Sequence, residues 1–192
     1  MTAPVVLALD LATASGWAIG PVGSRPRCGS LPLGERGAPR RERAAELTKW
    51  LAAMLKLEAP RLIVIEQPLQ PAVLVKIGGS LDTALLLYGL AVVAESVAHL
   101  RGVRDVRMAD VQDVRQHFTG HRTFKATVHP LTGKKITARA NGKSAVINMC
   151  RMRGWDVADD DQADAMATWS YGCALIDRRA AAAATPLFAR SA

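Results

Sequence analysis

The chain has 192 residues, of which 49% are hydrophobic, and it carries a formal net charge of +8. This length allows one domain with a substantial core and excludes two large ones. The positive charge indicates a polyanionic partner, because net charge governs association and not fold.

Membrane and secreted classes are not expected from the pattern of the sequence. The most apolar stretch, 81–100, contains Asp82, Glu95 and His99, so it predicts a buried or interface helix and not a membrane span. The N-terminus shows no basic segment followed by a cleavage site, so no secretory signal is expected. The cysteines share no metal-type spacing, which is typical of reduced thiols in a cytoplasmic protein; they are Cys28, Cys150 and Cys173.

Two continuous apolar runs each end in a carboxylate. Residues 5–9 run into Asp10, and residues 62–65 run into Glu66. Runs of this kind predict strands that are buried on both faces. Because a buried carboxylate without a partner is unfavourable, two such strand-end acids indicate a shared site.

The first half of the chain predicts how those two strands meet. Residues 16–19 and 27–31 predict the second and third strands of an antiparallel meander, and 41–57 predicts an amphipathic helix. A right-handed crossover then places the fourth strand, 61–67, beside the first. The two strand-end carboxylates would become neighbours.

The middle of the chain predicts a loop, a helix, a strand and a short helix. Residues 68–79 contain two prolines and two glycines and predict an exposed loop. Residues 81–99 are apolar around most of their circumference, which fits a homodimer interface or a central core helix equally. Residues 103–108 predict a strand, and Asp110 is the expected N-cap of a helix that ends near Gly120.

A basic segment follows. No acidic residue occurs between Asp113 and Asp156. Residues 123–128 and 135–139 alternate with period two, which predicts a β-hairpin insertion over about 121–141. Such a basic hairpin is typical of a surface that contacts DNA phosphates. The predicted contacts are Arg122, Lys125, Lys134, Lys135 and Arg139.

The last predicted helix begins in a cluster of acids. Residues 143–153 predict one helix, and a second runs from Asp160 to about residue 178. Asp161 and Asp164 are spaced i, i+3 and share a helix face, which suits a cation site or an N-terminal acid cluster equally. Asp160 and Asp164, spaced i, i+4, are an alternative same-face pair.

Because Asp10 and Glu66 would also lie nearby, the cation site is favoured over the N-terminal acid cluster, as a pocket of four carboxylates. Oxygen ligands suit Mg²⁺ or Mn²⁺ and not zinc. We interpret 1–178 as a single domain and 179–192 as an alanine-rich, frayed C-terminal tail.

Three segments, in this order, resemble the RuvC-type Holliday junction resolvases of the RNase H-like superfamily. They are LDLATASGW at 9–17, IVIEQ at 63–67, and Gly142-Lys143 followed by DQADAMA at 161–167. The short chain and the long basic insertion are more similar to phage-type members than to bacterial housekeeping ones. Pro68 and Leu69 depart from the family pattern, which often has an aromatic residue after the second acid.

The resemblance implies an RNase H-like α/β fold, with a five-stranded mixed sheet, helices on both faces and the basic hairpin added. It implies that Asp10, Glu66, Asp161 and Asp164 are catalytic metal ligands, and that Lys143 assists at the scissile phosphate and contacts DNA. The implied cofactor is Mg²⁺, for which Mn²⁺ substitutes.

The implied activity is two-metal-ion cleavage of branched DNA (Holliday junctions, Y-forks or flaps) in recombination, repair or phage DNA processing. The enzyme would be a homodimer, with helix 81–99 as its interface, in a bacterial cell or a phage-infected host. Two alternatives stay open: a non-catalytic module that binds branched DNA, and an RNase H-like nuclease for another substrate such as an RNA–DNA hybrid.

Overall fold

The computed structural model describes residues 2–177 and residue 179. The strands are β1 (Val5–Asp10), β2 (Ala14–Pro21), β3 (Arg27–Pro32), β4 (Leu62–Glu66), β5 (Val106–Ala109), β6 (Thr127–Val128) and β7 (Lys135–Ile136). The helices are α1 (Arg40–Glu58), α2 (Pro71–Lys76), α3 (Leu81–Leu100), α4 (Val111–Thr119), α5 (Ala138–Met152) and α6 (Asp160–Ile176). Apart from residue 179, the predicted C-terminal tail 179–192 lies outside the described residues.

Five strands form one mixed sheet in the order β3-β2-β1-β4-β5. The pairs β1–β2 and β2–β3 are antiparallel, whereas β1–β4 and β4–β5 are parallel. The predicted meander and crossover are therefore present, with β1 in the centre. The predicted five-stranded mixed sheet is confirmed.

Helices cover both faces of the sheet. Val6 and Ala8 of β1 pack into a core with Met166 and Trp169 of α6 on one face. The alternate residues of β1 pack into a second core with α1 and α3 on the other. This double burial explains why β1 and β4 are continuous apolar runs and do not alternate with polar residues.

The long apolar helix α3 packs along one face only. Leu90 and Ala94 are buried in the core shared with α1, whereas Leu85 and Val92 are 49% and 59% exposed. In the described part of the chain, α3 alone is long and apolar enough to cross a membrane by length and composition. One such helix is weak evidence, since core helices pass the same test.

The structure differs from the sequence prediction around α2. Residues 68–79 were predicted as a loop, but Pro71 begins a short helix that ends at Lys76. Proline fits the first helical turn, where its missing N–H would have no partner. The proline that indicated a loop is therefore a helix start.

The basic hairpin is also shorter than predicted. Its strands β6 and β7 have two residues each, and α5 begins at Ala138 instead of 143. Thr137 caps α5 by accepting a hydrogen bond from the backbone N–H of Ala140 (3.1 Å). As a result, Arg139 lies in the first turn of α5, not on the hairpin, and Lys143 lies in its second turn.

Candidate active site

Two adjacent strand ends bring the first two carboxylates together. Asp10 is the last residue of β1 and Glu66 is the last residue of β4. These strands are parallel neighbours, with Leu9 opposite Ile65. Their carboxyl ends therefore lie at one edge of the sheet, which is where open α/β sheets place their sites.

The N-terminal turn of α6 brings Asp161 and Asp164 to the same edge. Asp159 caps this helix, because its Oδ1 accepts a hydrogen bond from the backbone N–H of Gln162 (2.8 Å). Its other oxygen accepts a hydrogen bond from Ser30 Oγ on β3 (2.7 Å). The cap thus ties the start of α6 to the sheet.

Two glycines allow α6 to lie this close to the strands. A Cβ on Gly16 of β2 would stand 2.0 Å from the backbone oxygen of Asp161. Further along α6, a Cβ on Gly172 would stand 2.7 Å from Val64 Cγ2 of β4. Any side chain at either position would push α6 away, so these glycines set the height of the helix above the sheet.

The result is a cleft of about 520 Å³ at the edge of the sheet. All four predicted carboxylates and Lys143 line it. Other residues with charge or polarity in the lining are Gln67, Gln112, Arg115, Arg122, Thr123 and Arg139. The sequence placed the four acids on three distant segments, and the fold gathers them in one cleft.

The carboxylates in this cleft raise one another's pKa. Burial, with the charges of Asp164 and Asp161, raises the pKa of Asp10 to about 7. Burial raises the pKa of Glu66 well above its ordinary value, and the charges of Asp10 and Asp164 add to the shift. The pKa values of Asp161 and Asp164 are raised as well, chiefly by burial. The positive charges nearby do not fully compensate the negative charges of these carboxylates.

The two alternative acids at the start of α6 have different surroundings. Asp161 lines the cleft, whereas Asp160 forms an ion pair with Lys143 Nζ and is not part of the lining. Asp156 is further away and pairs with Arg25 at 2.9 Å. Of the two alternatives, Asp161 is therefore the one positioned to be a ligand.

Arg115 is a charged residue of the cleft that the sequence analysis did not select. It lies on α4, and its charge lowers the pKa of both Glu66 and Asp164. Its Nε is buried and has no hydrogen-bond partner among the described residues. The available signal was its position next to Val114 and one turn before Phe118, the buried residues of α4. Arg115 is thus a cation held against the carboxylates.

The opposite wall of the cleft is apolar. Leu69, Leu74 and Ile77 from the segment around α2, and Leu87 from α3, all contribute to the lining. The sequence did not indicate this wall, because the prolines and glycines of 68–79 predicted an exposed loop. The cleft therefore has one ionic side and one hydrocarbon side.

The donor set fits a hard divalent cation in its chemistry, since it offers carboxylate oxygens only. Among residues 2–177 and 179, no three Asp, Glu, His or Cys side chains stand close enough together to enclose a metal ion. Rotation of these side chains would be needed to close a coordination shell.

The predicted DNA contacts occupy two places. Arg122 and Arg139 line the cleft, and Arg122 also pairs with Asp113 of α4 (2.7 Å). Lys125, Lys134 and Lys135 lie on the exposed hairpin beyond it. These three lysines form no ion pair with any residue that the structure describes. The hairpin thus presents uncompensated positive charge next to the cleft.

Three solved structures share this fold. The RuvC structure of Thermus thermophilus has a TM-score of 0.63 at 17% identity, covering 90% of this chain and 95% of that one. RuvC of T. thermophilus in complex with a Holliday junction substrate has a TM-score of 0.61 at 18% identity, covering 86% and 90%. The yeast mitochondrial Holliday junction resolvase Ydc2 has a TM-score of 0.57 at 14% identity, covering 95% and 81%.

At these identities the likeness is one of fold. The chain therefore has the RNase H-like fold of the RuvC-type resolvases, as its motifs predicted. No family model and no curated protein matches the sequence.

Proposed function

We propose that the protein is a divalent-metal-dependent endonuclease that cuts branched DNA. The observation that carries this proposal is that Asp10, Glu66, Asp161 and Asp164 line one cleft together with Lys143. Four carboxylates whose charges oppose one another favour the binding of a cation among them. In a basic protein, that arrangement suits a phosphodiester substrate.

The four carboxylates would hold Mg²⁺, or Mn²⁺ in its place. When bound, the metal would supply charge neutralisation at the phosphate and activation of a water molecule. Asp10 and Glu66 are anchored on strands, and Asp161 and Asp164 on a capped helix. Rigid elements of this kind would keep the ligands in place during the reaction.

The cations of the cleft would bind the substrate phosphate. Lys143 and Arg115 approach the acids from α5 and α4, and both lower the pKa of Asp164. Arg139, in the first turn of α5, acts on the same acids from further away. A phosphate held between these cations and the carboxylates would have its charge balanced, which stabilises charge that develops during cleavage.

Branched DNA is the substrate class that the basic hairpin and the fold support best. The named relatives of this fold are Holliday junction resolvases, and one of them is bound to a junction. The free lysines of the hairpin lie beside the cleft, where they would position a DNA arm without reading its sequence. Junctions, Y-forks and flaps all offer such an arm.

A homodimer is the assembly we propose, because it would place two clefts on one branched substrate. The exposed apolar residues of α3 form one stripe at helical spacing and would be the interface. They are Leu81, Leu85, Tyr88 and Val92. An isologous contact between two such helices would bury the stripe.

The deciding experiment is cleavage of labelled four-way junction, Y-fork, linear duplex and RNA–DNA hybrid, with Mg²⁺ or with EDTA. We expect Mg²⁺-dependent cutting of the branched DNA forms by the wild type, and none by Asp10→Asn, which should still bind. Cutting of the hybrid alone would identify another RNase H-like nuclease. Tight binding of branched DNA without cutting in Mg²⁺ or Mn²⁺ would leave the non-catalytic module.

A further inference from the structure

The tip of the basic hairpin carries an exposed apolar side chain in a basic setting. Leu131 is 90% exposed, more than any other large hydrophobic residue among those described. It lies at the turn between β6 and β7, and Lys134 and Lys135 follow it three and four residues later. A single leucine held out into solvent at the end of a hairpin contributes nothing to the core of this chain.

The turn that carries Leu131 is held in one conformation by hydrogen bonds. The backbone N–H groups of Leu131 and Thr132 both donate to Nδ1 of His129 (3.3 Å each). The backbone N–H of His129 donates to the carbonyl of Lys134 (2.8 Å), and that of Gly133 donates to the carbonyl of His129 (2.9 Å). Gly133 has a φ of +66°, which its missing side chain permits. The tip is therefore preorganised.

The root of the hairpin is fastened to the wall of the cleft. Asn141 of α5 donates through its Nδ2 to the carbonyl of Lys125 (2.8 Å) and to Oγ1 of Thr127 (3.0 Å). Phe124, at the root, lines the cleft. The seven residue-to-residue steps from Phe124 to Leu131 span about 23 Å when extended, at roughly 3.3 Å per step. The tip thus lies within about seven base-pair steps of the cleft, at 3.4 Å a step.

We propose that this hairpin is a wedge, in which Leu131 inserts between bases at the branch point of the DNA. The inference rests on the proposed function, since it assumes a branched DNA in the cleft. Leucine is one of the apolar side chains that proteins insert between base steps to unstack them. The lysines next to it supply the phosphate contacts that such an insertion needs. Bases at a branch point are already partly unstacked, so insertion there is easier than within a duplex.

The wedge and the lysines have separable effects. Leu131→Ala removes the inserted group but no charge, so it should abolish base unstacking. The affinity for DNA should fall by less than about tenfold, because the free energy gained by burying the leucine and the free energy lost by unstacking the bases largely offset each other. Replacing Lys134 and Lys135 together by alanine should weaken binding to all DNA forms. It should also reduce the magnitude of the salt slope by about 2, while unstacking persists at saturating protein.

The test uses four-way junctions with 2-aminopurine either at the branch point or inside one arm, in EDTA so that no strand is cut. The full-length wild type should raise the fluorescence several-fold at the branch point and not in the arm. Leu131→Ala should lose that rise. Leu57→Ala is the matched control, since Leu57 is 81% exposed at the end of α1, at the opposite edge of the sheet; it should behave as the wild type.

Two other outcomes overturn the wedge in distinguishable ways. If the wild type binds and cuts branched DNA but gives no rise, or if Leu131→Ala gives the same rise, the wedge is wrong and the proposed function stands. If the wild type neither prefers nor cuts branched DNA, the proposed function fails and the wedge fails with it.

Discussion

At the scale of single residues, the main finding is a site that destabilises the protein which carries it. Asp10, Glu66 and Asp164 are partly buried acids whose charges oppose one another. Arg115, Lys143 and Arg139 offset part of this charge, and Lys143 is shared with Asp160. Sites of this type trade stability for function, so removing a charge should make the protein more stable and inactive.

The first prediction follows from the pKa of Asp10, which is raised to about 7 in the folded chain. Since this value lies above that of an unfolded Asp, the folded state binds the proton more tightly, and stability is lost as the pH rises from about 4 to about 7. In EDTA at pH 8, Asp10→Asn should therefore be more stable by up to about 4 kcal/mol, which corresponds to a rise of roughly 8–16 °C in Tm. Calorimetry at pH 8 and pH 4 measures the difference, which should vanish at pH 4.

His117 also makes the stability of the protein depend on pH, so its contribution must be separated from that of Asp10. Burial lowers its pKa to about 4, so its contribution to stability is lost as the pH falls below its unfolded value near 6.5. Both proteins contain His117, and its effect cancels in the difference between them. Adding Mg²⁺ at pH 8 should raise the Tm of the wild type more than that of the variant. Equal Tm values in EDTA at pH 8 would contradict the repulsion.

The second prediction concerns Arg115, whose charge acts on Glu66 and Asp164. Arg115→Met keeps most of the unbranched apolar stem of the side chain and removes the cation. We expect a loss of about 100-fold in kcat, as for removal of one charge-stabilising donor, with a smaller change in KM. Arg151→Met, at the exposed end of α5, is the control and should retain full activity. A variant that lost only affinity would show that Arg115 acts in binding alone.

At the scale of elements, the placement of α6 decides whether the site exists. This helix carries Asp161 and Asp164, and it lies across β1, β2 and β4 at a height set by Gly16 and Gly172. Its cap, Asp159, is bonded to β3 through Ser30. Small shifts of such a helix move two of the four acids together, so the geometry of the site depends on residues that never touch the substrate.

The third prediction tests this dependence with Gly16→Ala. The new Cβ would collide with the backbone of Asp161, so the first turn of α6 must move. We expect a destabilisation of about 1–3 kcal/mol and a loss of Mg²⁺-dependent cleavage in the molecules that still fold. Gly29→Ala is the matched control, since its Cβ would stand 2.7 Å from the Trp17 ring, away from α6. That variant should lose stability and keep its activity per folded molecule; equal activity losses would contradict the role of Gly16.

At the scale of the whole molecule, charge and apolar surface lie on different parts of the fold. The chain has a net charge of +8, and Lys125, Lys134 and Lys135, which form no ion pair with a described residue, lie on the hairpin beside the cleft. The apolar stripe lies on α3, whose other face packs against α1. This separation fits a protein that binds DNA with one surface and a second copy of itself with another.

The fourth prediction concerns that second surface. Replacing Leu85 and Val92 together by glutamate puts two charges into the stripe of α3, where both residues are exposed. The wild type should be a dimer by light scattering at micromolar concentration, and the double variant a folded monomer, because buried unpaired charges oppose association. The monomer should nick a junction where the dimer cuts two strands. Leu57→Glu, outside the stripe, should remain dimeric; a monomeric wild type would refute the interface.

Much of the fold and of the site could be predicted from local sequence. Continuous apolar runs identified β1 and β4 because both faces of those strands are buried. The acids at the ends of these runs, Asp10 and Glu66, were thereby identified as site candidates. The i, i+3 spacing placed Asp161 and Asp164 on one face of a helix. Each of these inferences depends only on the period of a regular element, which sequence determines by itself.

Other features depended on contacts between distant segments, and only the tertiary structure decided them. Asp160 and Asp161 have the same local sequence context, and they are distinguished by the position of Lys143 on α5, which pairs with Asp160. Arg115 became part of the site because α4 packs beside α5 and α6. The apolar wall includes a helix that begins at Pro71, in a segment that the sequence predicted as a loop. Periodicity determines which face a residue occupies, whereas packing determines what that face meets.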